Sequence, residues 1–329
     1  MKSVKLSEFD LIDRITDEIN RVKPGDWSSF VSGIGDDAAV IKSNVKFQLA
    51  TTDSLNEGVH FQRKYLDWQA LGWKALAVNL SDIAAMGGAP HYALVSLGLP
   101  EETQPEDVVR LYQGMLELAE QSGTVIAGGN ISRASQLGVH VTVIGRAESK
   151  SKVLLRSKAR NGDLIAVTGR LGAAAAGLAA LDGSLKPGEF DTAELTDAFW
   201  RPQPRLDVGR LLLKNGIKCA IDISDGLLAD LGHVLNASNI GARIEAARIP
   251  IHPSVAAVAG TDALQLALNG GEDYELLFTG KYENIERVIG GACCPVTVIG
   301  EICRGKGKLE LLDAEGRCLP VGASGWQHF

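Results

Sequence analysis

The most informative feature of the sequence is the position of its acidic residues. Each lies beside small or apolar residues, often directly after a glycine pair or a short apolar run, and outside any solvated charge run. The positions are Asp36, Asp37, Asp53, Asp82, Asp222, Asp225, Glu272 and Asp273. Carboxylates held close together repel one another, and a divalent cation relieves that repulsion. Hard oxygen ligands select Mg²⁺, Mn²⁺ or Ca²⁺, and Mg²⁺ also bridges to substrate phosphates.

Each of these residues also has a purely structural interpretation. An aspartate after a glycine is commonly a turn or cap residue, and Asp225 could simply cap a helix that begins at Gly226. The strings Gly128-Gly129-Asn130 and Gly270-Gly271-Glu272 could form turns that expose backbone N–H groups to a phosphate, or ordinary tight turns. The sequence leaves both interpretations open.

Common nucleotide-binding motifs do not accompany these acids. The string nearest to a Walker A loop runs from Gly300 to Lys306, but Gly307 stands where that loop needs Ser or Thr. The sequence also lacks GxGxxG, HExxH and GxSxG motifs. If the protein uses ATP, we expect it to do so outside the common nucleotide-binding folds.

Composition and charge argue against several classes of function. The chain has 329 residues, of which 45% are hydrophobic and 22% charged, and its net charge is −7. Nucleic-acid binding would need a basic face, and no apolar run has the length of a membrane span. No signal-peptide pattern follows Met1. The five cysteines form no CxxC pair, which favours reduced thiols over a zinc site. We expect a cytoplasmic protein with neither nucleic-acid nor membrane partners.

Helices and strands alternate in both halves of the chain, which predicts two α/β or α+β domains. Predicted helices cover residues 9–22, 68–86, 105–122, 173–181, 205–214 and 226–236. Predicted strands cover residues 47–52, 92–97, 124–127, 139–144, 164–168, 219–223, 275–278 and 296–299. Asp53 is expected to mark the end of its strand. A basic polar stretch at residues 148–160 separates a predicted domain of residues 1–147 from a second of residues 148–329.

Several strings taken together resemble the thiamine-monophosphate kinase family. They are Gly33 to Ala39 (GIGDDAA), Thr52 to Phe61 (TDSLNEGVHF), Val78 to Gly88 (VNLSDIAAMGG), Arg201-Pro202, Asp222 to Leu227 (DISDGL) and Gly270 to Leu276 (GGEDYEL). The resemblance runs in order from about residue 7 to the C-terminus. The string from Glu57 to Phe61 distinguishes this kinase within a superfamily that includes aminoimidazole ribonucleotide synthetase and selenophosphate synthetase.

The resemblance implies a two-domain, aminoimidazole-ribonucleotide-synthetase-like fold. An N-terminal α/β domain would pair its sheet across a homodimer, and a C-terminal α+β domain would complete the substrate site. ATP would bind in the N-terminal domain near the dimer interface, together with several Mg²⁺ ions. The implied reaction is phosphorylation of thiamine monophosphate to thiamine diphosphate, the final step of thiamine diphosphate biosynthesis.

The resemblance also implies roles for individual residues. The implied Mg²⁺ ligands are Asp36, Thr51, Thr52, Asp53, Asp82, Asn130, Asp222 and Asp225, of which Asp53 and Asp222 are the most critical. The implied ATP contacts are Tyr112, Gly129, Asn130, Arg146 and Ser224. The implied thiamine-phosphate contacts are His60, Glu272 and Trp326, although a lone His and a lone Trp are often structural. Many relatives have Asp where this chain has Asn130, so one metal site keeps an amide oxygen but loses a charge.

The implied chemistry needs no general base. The attacking group is a phosphate monoester with a second pKa near ~6, so it is already anionic at neutral pH. We expect direct in-line transfer without a phosphoenzyme. Two rival hypotheses are a sister ATP-dependent enzyme with another acceptor and a non-catalytic ATP sensor of the same fold. The lack of a cysteine before Cys219 disfavours selenophosphate synthetase, and the nearly complete acidic set disfavours a sensor.

Overall fold

The computed structural model describes residues 8–32, 40–41, 47–149, 152–186 and 190–320. The described residues form two units, one within residues 1–80 and 89–148 and the other within residues 81–88 and 149–329. Each unit has its own main sheet flanked by helices in sequence, so the mixed α/β architecture expected from the sequence is confirmed. Two predicted site residues, Asp36 and Trp326, lie outside the described residues.

A four-stranded sheet organises the first unit. The elements in chain order are α1 (Glu8–Val22), β1 (Phe30–Ser32), β2 (Val40–Ile41), β3 (Phe47–Asn56), α2 (Trp68–Ala85), β4 (Ala89–Leu99), α3 (Pro105–Ser122), β5 (Val125–Arg133) and β6 (Gly138–Ala147). The last residues of α2, 81–85, are assigned to the second unit. The sheet has the order β3-β6-β4-β5, in which β6 is antiparallel to both neighbours and β5 is parallel to β4. The short strands β1 and β2 form a separate antiparallel pair.

Local signals explain why α3 begins and ends where the sequence predicted. Pro105 occupies the first turn, where its missing N–H leaves no intrahelical bond unmade. Gln104 and Asp107 form a reciprocal capping box, in which the Gln104 N–H donates to the Asp107 carboxylate at 3.3 Å. Gly123 ends the helix in the left-handed conformation, at φ 68°. All of these signals lie within a few residues of the helix, so the sequence alone predicts it.

Two strands run further than the sequence predicted. The expectation that β3 ends at Asp53 is wrong, because Asp53 pairs with Val141 and β6 offers further partners as far as Gly138. The expectation of a turn at Gly128-Gly129-Asn130 is also wrong, because these residues pair with Leu94 to Ser96 of β4. In both cases a strand distant in the sequence extends the pairing.

A seven-stranded sheet organises the second unit. Its elements are β7 (Leu164–Thr168), α4 (Ala173–Asp182), α5 (Ala193–Trp200), α6 (Leu206–Lys214), β8 (Cys219–Asp222), α7 (Leu227–Ser238), β9 (Gly241–Glu245), α8 (Pro253–Ala259), α9 (Ala263–Asn269), β10 (Leu276–Gly280), α10 (Tyr282–Ile289), β11 (Val296–Cys303), β12 (Leu309–Leu312) and β13 (Cys318–Leu319). The order is β13-β12-β9-β11-β7-β10-β8, and every pair is antiparallel except the parallel pair of β12 and β9.

The core of the second unit fixes one edge of this sheet. Strand residues such as Val167 and Leu277 are fully buried in the same apolar cluster as Leu227 and Leu231 of α7. Because β10 is antiparallel to both β7 and β8, the start of β10 lies at the same edge as the ends of β7 and β8. None of the helices in the described ranges is long and apolar enough to cross a membrane.

Helices α2 and α3 approach each other closely at two glycines. A Cβ added to Gly72 of α2 would overlap the carbonyl oxygen of Leu111, and a Cβ added to Gly114 of α3 would overlap that of Gln69. The two backbones therefore touch where side chains would normally separate them. By contrast, a Cβ at Gly232 in α7 would meet no atom within 4 Å.

This contrast gives a matched pair of substitutions. Gly114→Ala should lower the free energy of unfolding by about 2 kcal/mol, because overpacking a close contact costs roughly 1–3 kcal/mol. Gly232→Ala should raise it by about 0.5–1 kcal/mol, since it removes only the helical penalty of glycine. Urea unfolding followed by circular dichroism checks both values. A Gly114→Ala protein as stable as wild type would contradict the close approach of the helices.

Candidate functional site

Backbone pairing continues beyond the ends of β8 and β10 and brings two predicted site strings together. The Ile223 N–H donates to the carbonyl of Glu275 at 2.8 Å, and the Tyr274 N–H donates to the carbonyl of Ile223 at 2.9 Å. One step further, the Glu272 N–H donates to the carbonyl of Ser224 at 2.7 Å. Ser224, a predicted ATP contact, and Glu272, a predicted thiamine-phosphate contact, are therefore neighbours in the second unit.

Asp222 and Asp82 form the acidic centre of this edge. Asp222 is buried, and its carboxylate accepts a hydrogen bond from the Ser81 hydroxyl at 2.7 Å. Burial and the nearby charge of Asp82 raise the pKa of Asp222 to about 7, although Ser81 and Arg156 act in the opposite direction. Asp82, Asp222 and the Ser81 hydroxyl are therefore neighbours in the second unit, and the metal-binding role implied for the two aspartates stays a prediction.

A residue that the sequence did not single out holds the loop after β8. The Asp230 carboxylate accepts hydrogen bonds from the backbone N–H groups of Ser224, Asp225 and Gly226 at 3.0, 3.1 and 3.1 Å. The alternative in which Asp225 caps α7 is wrong: the N-cap is Gly226, and no side chain caps it from that position. An acidic residue in the first turn of the helix after a glycine is the sequence signal that marks Asp230.

Asp225 is instead a half-buried member of a small polar group. One ligand atom each from Asp225, Asp230 and His233 lies within 4.8 Å of the others. Burial, together with the charges of Asp222 and Asp225, raises the pKa of Asp230 to about 7. The position of Asp225 is compatible with its predicted role at a further metal ion.

The loop of residues 270–275 carries backbone strain. Glu272 and Tyr274 have φ angles of 59° and 49°, in the left-handed region that is unfavourable for residues other than glycine. The residue between them is fixed by its side chain, since both carboxylate oxygens of Asp273 accept from the Gly172 N–H, at 3.0 and 2.9 Å. Gly172 is the N-cap of α4, so Asp273 caps that helix from a distant segment.

In the first unit, the predicted ligands fall on the two outer strands of the sheet. Asp53 on β3 pairs with Val141, which pairs with Val95, which pairs with Gly129 on β5. Three strand spacings separate Asp53 from Gly129, or about 14 Å along the sheet. The sheet therefore does not bring Thr51, Thr52 and Asp53 together with Gly129 and Asn130. A Cβ at Gly129 would overlap the Val95 carbonyl oxygen, so this glycine has a structural role in any case.

His60, a predicted thiamine-phosphate contact, lies in a tight turn after β3. Its Nδ1 accepts from the Asn56 N–H at 3.1 Å, and the Gly58 N–H donates to the Phe61 carbonyl at 2.8 Å. Glu57 is held in turn by two hydrogen bonds from Arg63, at 3.1 and 3.0 Å, which lower its pKa. The string from Glu57 to Phe61 is thus a fixed structural feature of the first unit.

Two further predicted ATP contacts differ in their surroundings. Tyr112 is buried in α3, and burial raises the pKa of its hydroxyl. Arg146 on β6 has a buried Nε that finds no hydrogen-bond partner among the residues described. An unsatisfied guanidinium nitrogen is costly, and an anionic ligand would satisfy it.

Matches to known protein families fall on the same two halves of the chain. The AIR synthase related protein, N-terminal domain, matches residues 35–147, and the AIR synthase related protein, C-terminal domain, matches residues 160–311. The fold and these matches place the chain in the class of two-domain AIR synthase related proteins, and the predicted fold class is confirmed.

Relatives that match over the whole chain define the family more closely. The thiamine-monophosphate kinase of Aquifex aeolicus (strain VF5) is 35% identical, and the match covers 100% of both chains. That of Bacillus subtilis (strain 168) is 36% identical and covers 98% of this chain and 100% of the relative. This chain therefore belongs to the thiamine-monophosphate kinase family.

Solved structures agree with this placement. The thiamine-monophosphate kinase from Stenotrophomonas maltophilia K279a has a TM-score of 0.83 and 35% identity, and the match covers 95% of this chain and 98% of the other. The structure described as AaThiL complexed with AMPPCP and TMP has a TM-score of 0.77 and 34% identity, with full coverage of both chains. Hydrogenase maturation protein HypE in complex with ATP, at 18% identity, a TM-score of 0.76 and coverage of 98% and 97%, shares the fold alone.

The carboxyl group of Asp273 predicts a pH dependence of stability. Burial, with the charges of Glu275 and Glu272, raises its pKa to about 8 against the hydrogen bond from Gly172. The unfolded chain, with a pKa near ~4, therefore loses this proton at lower pH than the folded protein does. The folded state binds more protons between those values, so stability falls as the pH rises through the window. Asp273→Asn removes this term, so its stability relative to wild type should increase between about pH 5 and about pH 8.

Urea unfolding at several pH values in the presence of EDTA measures this difference. Asp313→Asn is the control, because the backbone N–H of Arg317 holds the pKa of Asp313 below its ordinary value. The Asp313 contribution is complete above that ordinary value, so the control difference should be flat across the same window. A flat difference for Asp273→Asn as well would contradict the raised pKa.

Proposed function

We propose that this protein transfers the γ-phosphate of ATP to thiamine monophosphate and so produces thiamine diphosphate, with Mg²⁺ required. The observation that carries the proposal is identity of 35–36% to thiamine-monophosphate kinases along the full chain. The AMPPCP and TMP held by AaThiL support ATP and thiamine monophosphate as the two substrates. A cytoplasmic location is part of the same proposal and is supported by five free cysteines.

The chemistry of the donor set in the second unit fits Mg²⁺. Asp222 and Asp82 supply carboxylate oxygens, and the Ser81 hydroxyl lies on Asp222. All are hard ligands, which Mg²⁺ prefers. When bound, Mg²⁺ supplies charge neutralisation of the phosphates. The family resemblance supports the full set of proposed Mg²⁺ ligands, which are Asp36, Thr51, Thr52, Asp53, Asp82, Asn130, Asp222 and Asp225.

The other proposed contacts divide between nucleotide and acceptor. ATP would be held by Tyr112, Gly129, Asn130, Arg146 and Ser224, and the acceptor by His60, Glu272 and Trp326. Arg146 gains support from its unsatisfied Nε, which suits a phosphate oxygen. Ser224 gains support because two hydrogen bonds fix its position. Its carbonyl accepts from the Glu272 N–H, and its own N–H donates to the Asp230 carboxylate.

The proposed mechanism is direct in-line transfer without a general base or a phosphoenzyme. The acceptor phosphate, with a second pKa near ~6, is already a nucleophilic anion at neutral pH. The work of the protein is then to hold two anions in line and to exclude competing geometries. The loops at residues 222–226 and 270–275 suit this role, because side-chain and backbone hydrogen bonds fix both of them.

The direct test is an assay with ATP, Mg²⁺ and thiamine monophosphate, with thiamine diphosphate measured by chromatography. Wild type should form the product, and EDTA should abolish it. Asp53→Asn should lower kcat/KM by about 100-fold or more, as expected when one fixed electrostatic contact to a transferring group is lost. Asp207→Asn, an exposed aspartate on α6, is the control and should behave as wild type.

The outcomes separate the rival hypotheses. ADP release without thiamine diphosphate would indicate another acceptor, and ATP binding without turnover would indicate a sensor. Near-normal activity of folded Asp53→Asn in Mg²⁺ would remove Asp53 from the proposed machinery.

Homodimer formation is the second part of the proposal. On one face of the four-stranded sheet, Leu94 of β4 lies in a row with Thr142 and Thr52, and Leu94 is 39% exposed. The neighbouring residue Val95, on the opposite face, is fully buried. Leu94 is one of the exposed large apolar side chains among the described residues, so we propose this face as the one that a second copy covers.

Leu94→Arg should therefore convert a dimer into a monomer, because the new charge would be buried in the interface without a partner. Sedimentation velocity measures the change. Ile289→Arg on α10 is the matched control, since Ile289 is 40% exposed and lies on the other unit. A Leu94→Arg protein that sediments as a dimer would place the interface elsewhere.

A further inference from the structure

Glu275 of the second unit is buried and accepts three side-chain hydrogen bonds, and none of the proposed roles uses it. It is 5% exposed, and its Oε2 accepts from Arg205 Nε at 2.7 Å and from the Thr168 hydroxyl at 2.5 Å. Its Oε1 accepts from Arg205 Nη2 at 2.5 Å. The Thr168 oxygen in turn accepts from the Leu276 N–H at 2.8 Å. Glu275 therefore has a bidentate arginine partner and a hydroxyl partner, a geometry that fixes its orientation.

The surrounding backbone is shaped to admit this cluster. A Cβ at Gly169, directly after Thr168, would overlap the Glu275 carboxylate, and Gly169 has a φ of 60°. Only glycine allows both the conformation and the close approach. The cluster of Thr168, Arg205 and Glu275 is therefore built into the end of β7 and the start of β10.

Stability alone is a poor explanation for such a cluster. Removing two charges from water costs about as much as their attraction returns, so an apolar pair of similar volume is often equally stable. What a bidentate pair does supply is a single orientation of the groups it joins. A neighbouring group that needs a fixed orientation would therefore explain the cluster.

The strained residues in the loop next to Glu275 are such groups. Glu272 and Tyr274 are both left-handed, and such conformations persist only where the surrounding structure enforces them. Asp273 is anchored on the Gly172 N–H, and Glu275 on Arg205. The two anchored carboxylates alternate with the two left-handed residues, so the anchors hold the strained backbone in place.

We propose that Arg205 is a positioning residue for the acceptor site: through Glu275 it holds the loop of residues 270–275 in the conformation that presents Glu272. The inference rests on the proposed function, because Glu272 is its acceptor contact. Arg205 touches neither substrate in this scheme. Loss of Arg205 releases the C-terminal anchor of the loop, and the Glu272 backbone leaves its strained conformation.

The test compares Michaelis constants of Arg205→Gln with those of wild type. The KM for thiamine monophosphate should rise by about tenfold or more, because displaced binding groups weaken the positioned complex, while the KM for ATP should change less than about twofold. Arg205→Lys keeps the charge but loses the bidentate geometry, so its KM should lie between the two. Arg210→Gln is the control, because Arg210 lies on α6, the helix whose N-cap is Arg205, in an exposed pair with Asp207.

A double-mutant cycle keeps the inference testable if the buried charge of Glu275 unfolds the single variant. Arg205→Gln combined with Glu275→Gln leaves a neutral pair with no uncompensated charge, and this variant should fold and still show the raised KM. Because both residues act on one loop, their effects on that KM should be strongly non-additive. Thermal unfolding of each variant identifies any loss that comes from stability alone.

The outcomes are distinguishable. Arg205→Gln with an unchanged KM for thiamine monophosphate, or with equal changes in both Michaelis constants, overturns the positioning role and leaves the kinase assignment intact. A wild-type protein that does not phosphorylate thiamine monophosphate overturns the proposed function and this inference with it.

Discussion

The second unit depends on one constraint: the backbone pairing of β8 with β10 continues past the ends of both strands. Because Ile223 pairs with Glu275 and Ser224 with Glu272, two acid-rich loops must lie side by side. Their charges would repel, and burial makes ionisation harder still, as the raised pKa values of Asp222, Asp230 and Asp273 indicate. The fold tolerates this crowding because each carboxyl group has hydrogen-bond donors directed at it.

Those donors divide the acids into two kinds. Asp230 and Asp273 accept from backbone N–H groups at helix N-termini, so they are bound to the scaffold and shape the loops. Asp222 instead accepts from one hydroxyl and lies near a second carboxylate, Asp82, so these two acids suit the cation of the proposed function. A sequence lists both kinds as aspartates near glycines. The hydrogen-bond partners show that the first kind shapes the loops, and the proposed function assigns the second kind to the metal.

The sequence predicts an element well when the signals that bound it lie within a few residues, and poorly when its bounds depend on residues far along the chain. Helix α3 is predicted to the residue, because Pro105, Asp107 and Gly123 all lie within its own turns. The ends of β3 and β5 are not, because each depends on pairing with a strand tens of residues away. The same limit applies to the site. The motif strings include Asp222 and Glu272. Arg205 belongs to none of these strings, because it acts through Glu275, which lies 70 positions along the chain.

The strained backbone in the loop of residues 270–275 is stronger evidence for function than the acidic residues are. Four of the described non-glycine residues have left-handed conformations, and two of them, Glu272 and Tyr274, lie in the same loop. Natural sequences depart from local consistency mainly at functional sites. Random drift would relax such strain, yet here Asp273, Glu275 and the pairing to Ser224 all oppose relaxation. A conformation that three anchors maintain fits the role proposed for Glu272 as a contact to thiamine monophosphate.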